Sequence, residues 1–410
     1  MKKFLDRLKN VEPRDLLAGL QFLLMLIPAM CFRLYLRAKK RAFWLICEEK
    51  CEARDNGFAL FRYIRSEHPE VEVYYAISPQ CADYAKVASC GKTIPYGSCK
   101  HWLYYLAAEA NISSQKGGKP NAAVCYALEV YGVLKNQRFF LQHGITINNP
   151  EFLHYESTRM RLFVCGAEPE YRYIKEVFGY PEGYVQYLGF CRFDELHHIT
   201  PDPKQILLMP TWRNWFRMNS KSGEDIDEEK KDFRTSEYFQ KFQSLLNHPT
   251  LLNYLEEKDL HLIFYPHRNM QEYLKNFSVG SERVILADSA HYDIQQLLRE
   301  SSLMITDYSS VSMDFAYMKK PVIYYQFDQE KFRRYQYGAG YFSYEADGFG
   351  PVCTTEDAVV NAVIASCECD FALEAEYIQR HGDFFQLYDT QNCERNYQAI
   401  RNILDAEEQK

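Results

Sequence analysis

From Phe43 onward the chain alternates short apolar runs with amphipathic stretches, and the alternation runs through twice. No other feature limits the fold as much. Short apolar runs bounded by polar punctuation read as strands, and stretches with apolar residues three and four apart read as helices. The first pass predicts strands over 43–47, 71–77, 93–96, 111–114, 138–142, 160–165 and 185–188, with helices over 56–65 and 101–108. After Thr200-Pro-Asp-Pro203 the pattern restarts. It predicts strands over 205–209, 261–265, 283–287, 303–305 and 322–325, helices over 236–246 and 294–299, a turn at Gly348–Pro351 and a helical tail. Strands that alternate with helices build largely parallel α/β sheets.

The stretch from Leu303 to Tyr325 shows the unit at its clearest. Leu303–Ile305 is a strand, Thr306–Ser310 a polar turn, Met313–Met318 a mainly apolar helix, and Pro321 its stop. Ser and Asp in the turn suit a helix cap. First-turn N–H groups lack intrahelical partners, so a strand feeding a helix this way can hold an anion. Ser309 and Ser310 add hydroxyl donors; the alternative is a capped helix with no ligand. In parallel α/β sheets ligands sit at the carboxyl ends of strands. The polar motifs fall there: His143 after one strand, Arg213 after a second, His267 and Arg268 after a third, Ser309 and Ser310 after a fourth. The expectation is an α/β protein of two Rossmann-like domains facing a ligand cleft.

Composition sharpens this. At 410 residues, 47% hydrophobic with 32 Tyr and 27 Phe, the chain can build large cores. Thirteen Cys in a chain this long, mostly within apolar runs, read as buried thiols of a reducing compartment rather than a disulfide scaffold. Cys47 and Cys51 have no second pair at metal spacing, so no zinc site is expected. Charge is uneven: residues 1–41 carry ten Lys/Arg and three Asp/Glu, a net +7, against −7 for the whole chain. Within this segment Leu16–Phe32 has no charge and is flanked by Lys2, Lys3, Arg7, Lys9 and Arg14, then by Arg33, Arg37, Lys39, Lys40 and Arg41. A spanning helix needs about 20 apolar residues, and Pro28 and Gln21 weaken this one. The expectation is an in-plane helix on an anionic membrane surface. A true span and a helix packed on the protein itself are the alternatives. His197-His198 reads as surface, and the acidic run Glu224–Asp232 as a solvated loop. Nothing here suggests nucleic acid as a partner.

Four motifs in order carry a resemblance: Gln142-His-Gly144, Pro210-Thr-Trp-Arg213, Pro266-His-Arg268, and Ile305-Thr-Asp-Tyr-Ser-Ser310 continuing through Asp314, Lys320-Pro321 and Tyr324. With Phe327-Asp328, Lys331 and Gly350-Pro351-Val352, they resemble the CDP-glycerol glycerophosphotransferase family of teichoic acid primases and polymerases, over about Phe43–Leu404. The resemblance implies a GT-B-like fold, monotopic association with the cytoplasmic face of a bacterial membrane, and an undecaprenyl-linked glycan acceptor. It implies transfer of an alditol phosphate from a CDP-alditol donor, with release of CMP and without a metal or cofactor. The segments would be a membrane-associating stretch (1–41), an acceptor domain (42–200) and a donor-binding domain (201–410). The short stretch ahead of the first domain favours a primase or single-addition role. A GT-B glycosyltransferase using a nucleotide sugar is the alternative.

The chemistry assigns the motifs. The attacking hydroxyl needs a base with a pKa near working pH, which suits His143. The resemblance implies the same role for it, and the alternative is a core histidine. Gly144 permits close approach of substrate, and Thr146 adds a hydroxyl. Members of the family often carry Trp-His-Gly-Thr-Pro where this chain has Gln-His-Gly-Ile-Thr, so the shape of that loop is left open. Negative charge moving onto CMP calls for cations and aimed donors. His267, also implied as essential by the resemblance, joins Arg268, Arg213, Ser309 and Ser310 here. Asp307 would repel phosphate, and so caps or orients the turn. Asp314 is expected either on the ribose hydroxyls or facing solvent. Gly350, Pro351 and Thr355 are expected to close over the nucleotide.

Overall fold

The computed structural model describes residues 12–197, 199–216 and 232–409. The basic residues before Glu12, His198 and most of the acidic run lie outside them. Two compact units emerge. The first comprises Met1–His143, Glu151–Glu195 and Asp389–Lys410; the second comprises Gly144–Pro150 and Leu196–Tyr388.

The strands of the first unit are β1 (Trp44–Ile46), β2 (Val73–Ile77), β3 (Lys92–Pro95), β4 (Ala110–Ser113), β5 (Arg138–Phe140), β6 (Leu162–Cys165) and β7 (Val185–Tyr187). Among the described residues they form one parallel sheet in the order β3-β2-β1-β4-β5-β6-β7. The second unit holds β8 (Asp202–Leu208), β9 (His261–Phe264), β10 (Val284–Leu286), β11 (Ser301–Thr306), β12 (Val322–Tyr325) and β13 (Val352–Cys353). Its sheet, also parallel, runs β10-β9-β8-β11-β12-β13. Both sheets therefore follow the doubly wound order 3-2-1-4-5-6, extended by a seventh strand in the first, with a switch point beside the first strand of each. The protein is α/β, built of two Rossmann-like units of the GT-B-like class.

The strands are buried because helices cover both faces. Ile206, Leu208, Leu262, Phe264, Leu303 and Ile305 lie in one core with Phe242, Leu245 and Leu246 of the helix Glu237–Leu246. Ser236 starts that helix, its hydroxyl accepting from the N–H of Phe239 at 3.1 Å. The pattern missed the helices Ala122–Val130, Glu168–Val177 and Glu356–Glu368. It also placed the whole tail with the second half, whereas the helix Asn392–Glu408 packs in the first unit. There Asn392 Nδ2 donates to Asp194 at 2.7 Å, and Tyr397 stacks on His68 with centroids 3.8 Å apart. Cys51 and Cys81 are joined in a disulfide, an exception to the expected thiols; Cys47, Cys125 and Cys165 are free and buried.

The apolar stretch near residue 20 is one helix, Pro13–Ala38, continuous through Pro28. One narrow face, Ala18, Phe22, Ala29 and Leu36, is buried against a core that includes Phe43, Trp102 and Tyr105. Burying Phe22 and Leu36 contributes about 1.5–3 kcal/mol each. Asp15 accepts from Asn121 Nδ2 at 2.9 Å, which pins the first turn. The opposite face is apolar and exposed: Leu16, Leu20, Leu23 and Ile27 are each more than half accessible.

His101 lies fully buried in the helix Cys99–Ala107. Its Nδ1 accepts from the N–H of Gly97 at 3.1 Å, which leaves Nε2 with the proton and without a partner among the described residues. Burial pushes its pKa down to about 3. The unfolded chain takes up this proton near pH 6.5, the folded chain only near 3. The stability from neutral His101 is therefore complete above pH 6.5 and is lost as the pH falls toward 3. The urea midpoint should drop between pH 7 and 5, and His101→Leu, weaker at pH 7, should show a flatter dependence.

A candidate active site at the strand ends of the second unit

Register brings three motifs together. Leu208 of β8 lies level with Phe264 of β9 and Ile305 of β11. The segments Pro210–Arg213, Pro266–Arg268 and Asp307–Ser310 therefore leave adjacent strands at one height, beside the β8/β11 switch point. Hydrogen bonds tie them. The N–H of His267 donates to Pro210 O at 3.2 Å, and the N–H of Thr211 donates to Asp307 Oδ1 at 2.8 Å. Trp212 and His267 stack, centroids 6.2 Å apart and planes at 29°. The N–H of Asn269 donates to His267 Nδ1 at 3.2 Å, so in the neutral ring Nε2 carries the proton. His267 is half-buried and Arg268 exposed.

The fourth motif arrives from far away in sequence. Gly144 belongs to the second unit and is buried, and a Cβ built on it would stand 3.3 Å from Ser310 Oγ. Thr146 follows on the same half-buried stretch. Ser309 is buried, its Oγ accepting from the N–H of Val311 at 3.3 Å, and Ser310 precedes the helix Val311–Tyr317. With seven residues this helix sums little dipole, so the donors here are hydroxyls and first-turn N–H groups. Asp314 is 5% exposed, which corrects its solvent-facing alternative.

Arg213 departs most from expectation. Its side chain is fully buried, with Nε 2.8 Å from Asp328 Oδ2 and Nη1 2.8 Å from Asp307 Oδ2. Nη2 also reaches Asp328 Oδ1 at 3.1 Å, making that pair bidentate. Burial opposes the charge, but the two carboxylates overcome it and hold the guanidinium above its ordinary pKa. A cation so enclosed does not reach a phosphate; it locks the loops that carry the other motifs. Asp307 orients the turn as expected, accepting also from the N–H of Tyr308 at 2.6 Å.

The later motif residues serve the same scaffold. Lys320 Nζ donates to the carbonyls of Leu298, Arg299 and Ser301 at 2.9, 2.6 and 2.8 Å, tying the end of the helix Ile294–Glu300 to β12. Gly350 is needed for close packing, since a Cβ there would fall 1.6 Å from the carbonyl oxygen of Val322. Pro351 O accepts from the N–H of Tyr324 at 2.9 Å, and exposed Thr355 caps the helix Glu356–Glu368. His197, expected at the surface, is half-buried with Nε2 3.0 Å from the Tyr317 hydroxyl.

In the first unit, His143 follows β5 and is exposed, while Gln142 before it is fully buried with φ at +59°. The Gln142 side-chain amide donates to Val164 O at 2.8 Å and Glu170 Oε1 at 3.0 Å, and the backbone carbonyl of Gln142 accepts from Asn56 Nδ2 at 2.7 Å. A left-handed non-glycine residue held by three hydrogen bonds turns the chain sharply just before His143. Gln142, Trp212 and Asp328 stand inside the quoted motifs, yet no local signal marked their partners.

The chain matches the family described as CDP-Glycerol:Poly(glycerophosphate) glycerophosphotransferase over residues 29–402. It is 31% identical over 389 residues to the minor teichoic acid biosynthesis protein GgaB of Bacillus subtilis (strain 168), covering 92% of this chain and 42% of that protein. It is 27% identical over 233 residues to the teichoic acid glycerol-phosphate transferase of Staphylococcus aureus, covering 52% of this chain and 53% of that one. The chain spans about half the length of the curated relatives it matches. The solved wall teichoic acid polymerase TagF superposes with a TM-score of 0.60 over 93% of this chain and 98% of that chain, at 14% identity. The S. aureus MnaA–UDP co-structure gives 0.54 over 89% and 97%, at 12% identity. At such identities these two likenesses are of fold. The match over residues 29–402 takes in all four motifs, and on it the chain belongs to the CDP-glycerol glycerophosphotransferase family.

Proposed function

We propose that this chain moves an alditol phosphate, glycerol phosphate in the first instance, from a CDP-alditol to a hydroxyl of a lipid-linked glycan, releasing CMP. The product is a teichoic acid or a related surface polymer, made at the cytoplasmic face of the membrane. The observation that carries this is the convergence of Trp212, His267, Ser309, Ser310 and Gly144 at one end of the second sheet. Family membership and the CDP-glycerol in the family's description support the donor, as does a TagF structure soaked with CDPG.

The acceptor oxygen attacks the phosphorus that bears the alditol. A new P–O bond forms, the bond from that phosphorus to the bridging oxygen breaks, and CMP leaves with the bridging oxygen. His143 takes the proton of the attacking hydroxyl. His267 donates from Nε2 and, with Arg268, meets the charge that builds on the leaving phosphate. Ser309 and Ser310 supply hydroxyl donors, and Gly144 leaves room for the reacting phosphate beside Ser310. Asp314 holds the ribose hydroxyls. Arg213 acts at one remove, through the loops it locks. The 42–200 half takes the acceptor and the 201–410 half the donor.

Purified protein offered CDP-glycerol, CDP-ribitol and UDP-sugars with a short-chain lipid-linked disaccharide is expected to release CMP from one CDP-alditol, dependent on acceptor. UDP release from a sugar donor without CMP would overturn the proposal and leave the glycosyltransferase alternative.

A further inference from the structure

A groove of about 680 Å³ opens in the first unit beside the last turns of the helix Pro13–Ala38. It is lined by Arg33, Leu36, Arg37 and Lys40 of that helix end, by Leu106, and by Lys135. The segments that frame it precede β1, β4 and β5, so it lies at the amino ends of the strands, away from the carboxyl-end motifs that include His143. Arg33, Arg37, Lys40 and Lys135 are exposed and have no ion-pair partner among the described residues. The acids of the lining are engaged: Glu407 with Arg161 at 3.0 Å and with Gln137, Glu109 with Trp44 Nε1 at 3.2 Å. Arg41, also on the rim, pairs with Glu72 at 2.7 Å. Arg33, Arg37, Lys40 and Lys135 outnumber the lining carboxylates Glu109 and Glu407, so the groove keeps a net positive charge.

Its position relative to the helix gives that charge a meaning. At about 100° per residue, the buried residues Ala18, Phe22, Ala29 and Leu36 share one side of the helix, and exposed Leu16, Leu20, Leu23, Ile27 and Leu34 the opposite side. Arg33 and Arg37, one turn apart, fall on the border between them. Cations bordering an exposed apolar face, with a pocket at their side, match a molecule that is anionic at one end and apolar along its length.

We propose that this groove binds the phosphate headgroup of an anionic bilayer phospholipid, whose acyl chains lie along the exposed apolar face of the helix Pro13–Ala38. This deepens the proposed membrane location and is independent of the transfer chemistry. One seated lipid differs from diffuse attraction to a charged surface. Diffuse attraction gives each surface cation about the same small share, about fivefold in binding. A seated phosphate makes a few charge-assisted hydrogen bonds and loses about 10–100-fold when their donors go.

The 410-residue protein should be titrated calorimetrically with a phosphatidylglycerol carrying two six-carbon chains, kept below its micelle concentration, and with the matching phosphatidylcholine. Saturable binding of one phosphatidylglycerol per chain is expected, and none of phosphatidylcholine. Arg37→Gln with Lys135→Gln should weaken it at least tenfold. Lys39→Gln, which removes a charge from the same helix end but outside the groove, should leave it within about twofold. These positions are exposed, so unchanged melting temperatures are expected. Absent or unsaturable binding, or equal losses for Lys39→Gln and Lys135→Gln, would overturn the groove. Tighter capture of a short polyprenyl diphosphate than of phosphatidylglycerol would also overturn it as a bilayer-lipid site. Ile27→Asn, read on vesicles of phosphatidylcholine with phosphatidylglycerol, tests the membrane face separately: unchanged vesicle binding there refutes the membrane location while leaving the groove to the calorimetry.

Discussion

Replacing Arg213 with methionine is expected to remove about 3–5 kcal/mol of stability, because it leaves Asp307 and Asp328 buried without their cation. All three side chains are essentially inaccessible, and Arg213 touches both carboxylates at 2.8 Å. The guanidinium also lies 5.1–5.3 Å from the ring centroids of Tyr238, Tyr308 and Phe332, so its plane helps fill an aromatic chamber. In a domain of this size the loss lowers the melting temperature by about 6–20 °C. Lysine should not rescue it, since an ammonium cannot make the bidentate pair with Asp328 and reach Asp307 together. The triple change Arg213→Met, Asp307→Asn, Asp328→Asn should regain much of the stability, as a neutral network avoids the stranded charges. A single Arg213→Met variant that melts with the wild type would show that the network does not hold these loops.

His143→Ala is expected to slow CMP release by about 10²–10⁴-fold at saturating donor and acceptor, the range of a lost general base. The side chain is exposed, so the melting temperature should move by less than a few degrees. Gln142→Leu is the informative companion. It deletes the amide that holds the left-handed turn and takes one buried donor from Glu170 Oε1, a stability loss of about 1–3 kcal/mol. With the turn loosened, the fall in kcat should exceed any change in KM for the CDP-alditol, the mark of a misplaced group rather than a lost binding contact. Wild-type turnover in His143→Ala would remove His143 from the chemistry, whatever Gln142 does.

These two sites show where local sequence stops informing. Strand and helix positions were legible because they depend on periodicity and caps within about ten residues. The run Leu303–Ile305 and the helix start at Ser236 sit where the pattern put them, and the helix Val311–Tyr317 ends ahead of Pro321. Some short helices were missed, such as Glu168–Val177, in which only Glu170 and Ile174 are fully buried. The motif residues were found as residues, but their partners were not. Arg213 meets Asp307 and Asp328 across 94 and 115 positions, and no local pattern encodes a pairing at that distance.

By itself, then, the sequence determined the alternation of strands and helices, its restart near residue 200, and the four polar motifs at strand ends. Each of these follows from side-chain period and from the backbone needs of turns. Only the tertiary structure decided that Gly144 lies against Ser310, that the helix Asn392–Glu408 returns to the first unit, and that Arg213 is a buried tie. It also decided which face of the helix Pro13–Ala38 packs and which stays open. The physical reason is common to all four: burial and ion pairing are set by which surfaces the completed sheets bring together, and those surfaces come from segments that are far apart along the chain.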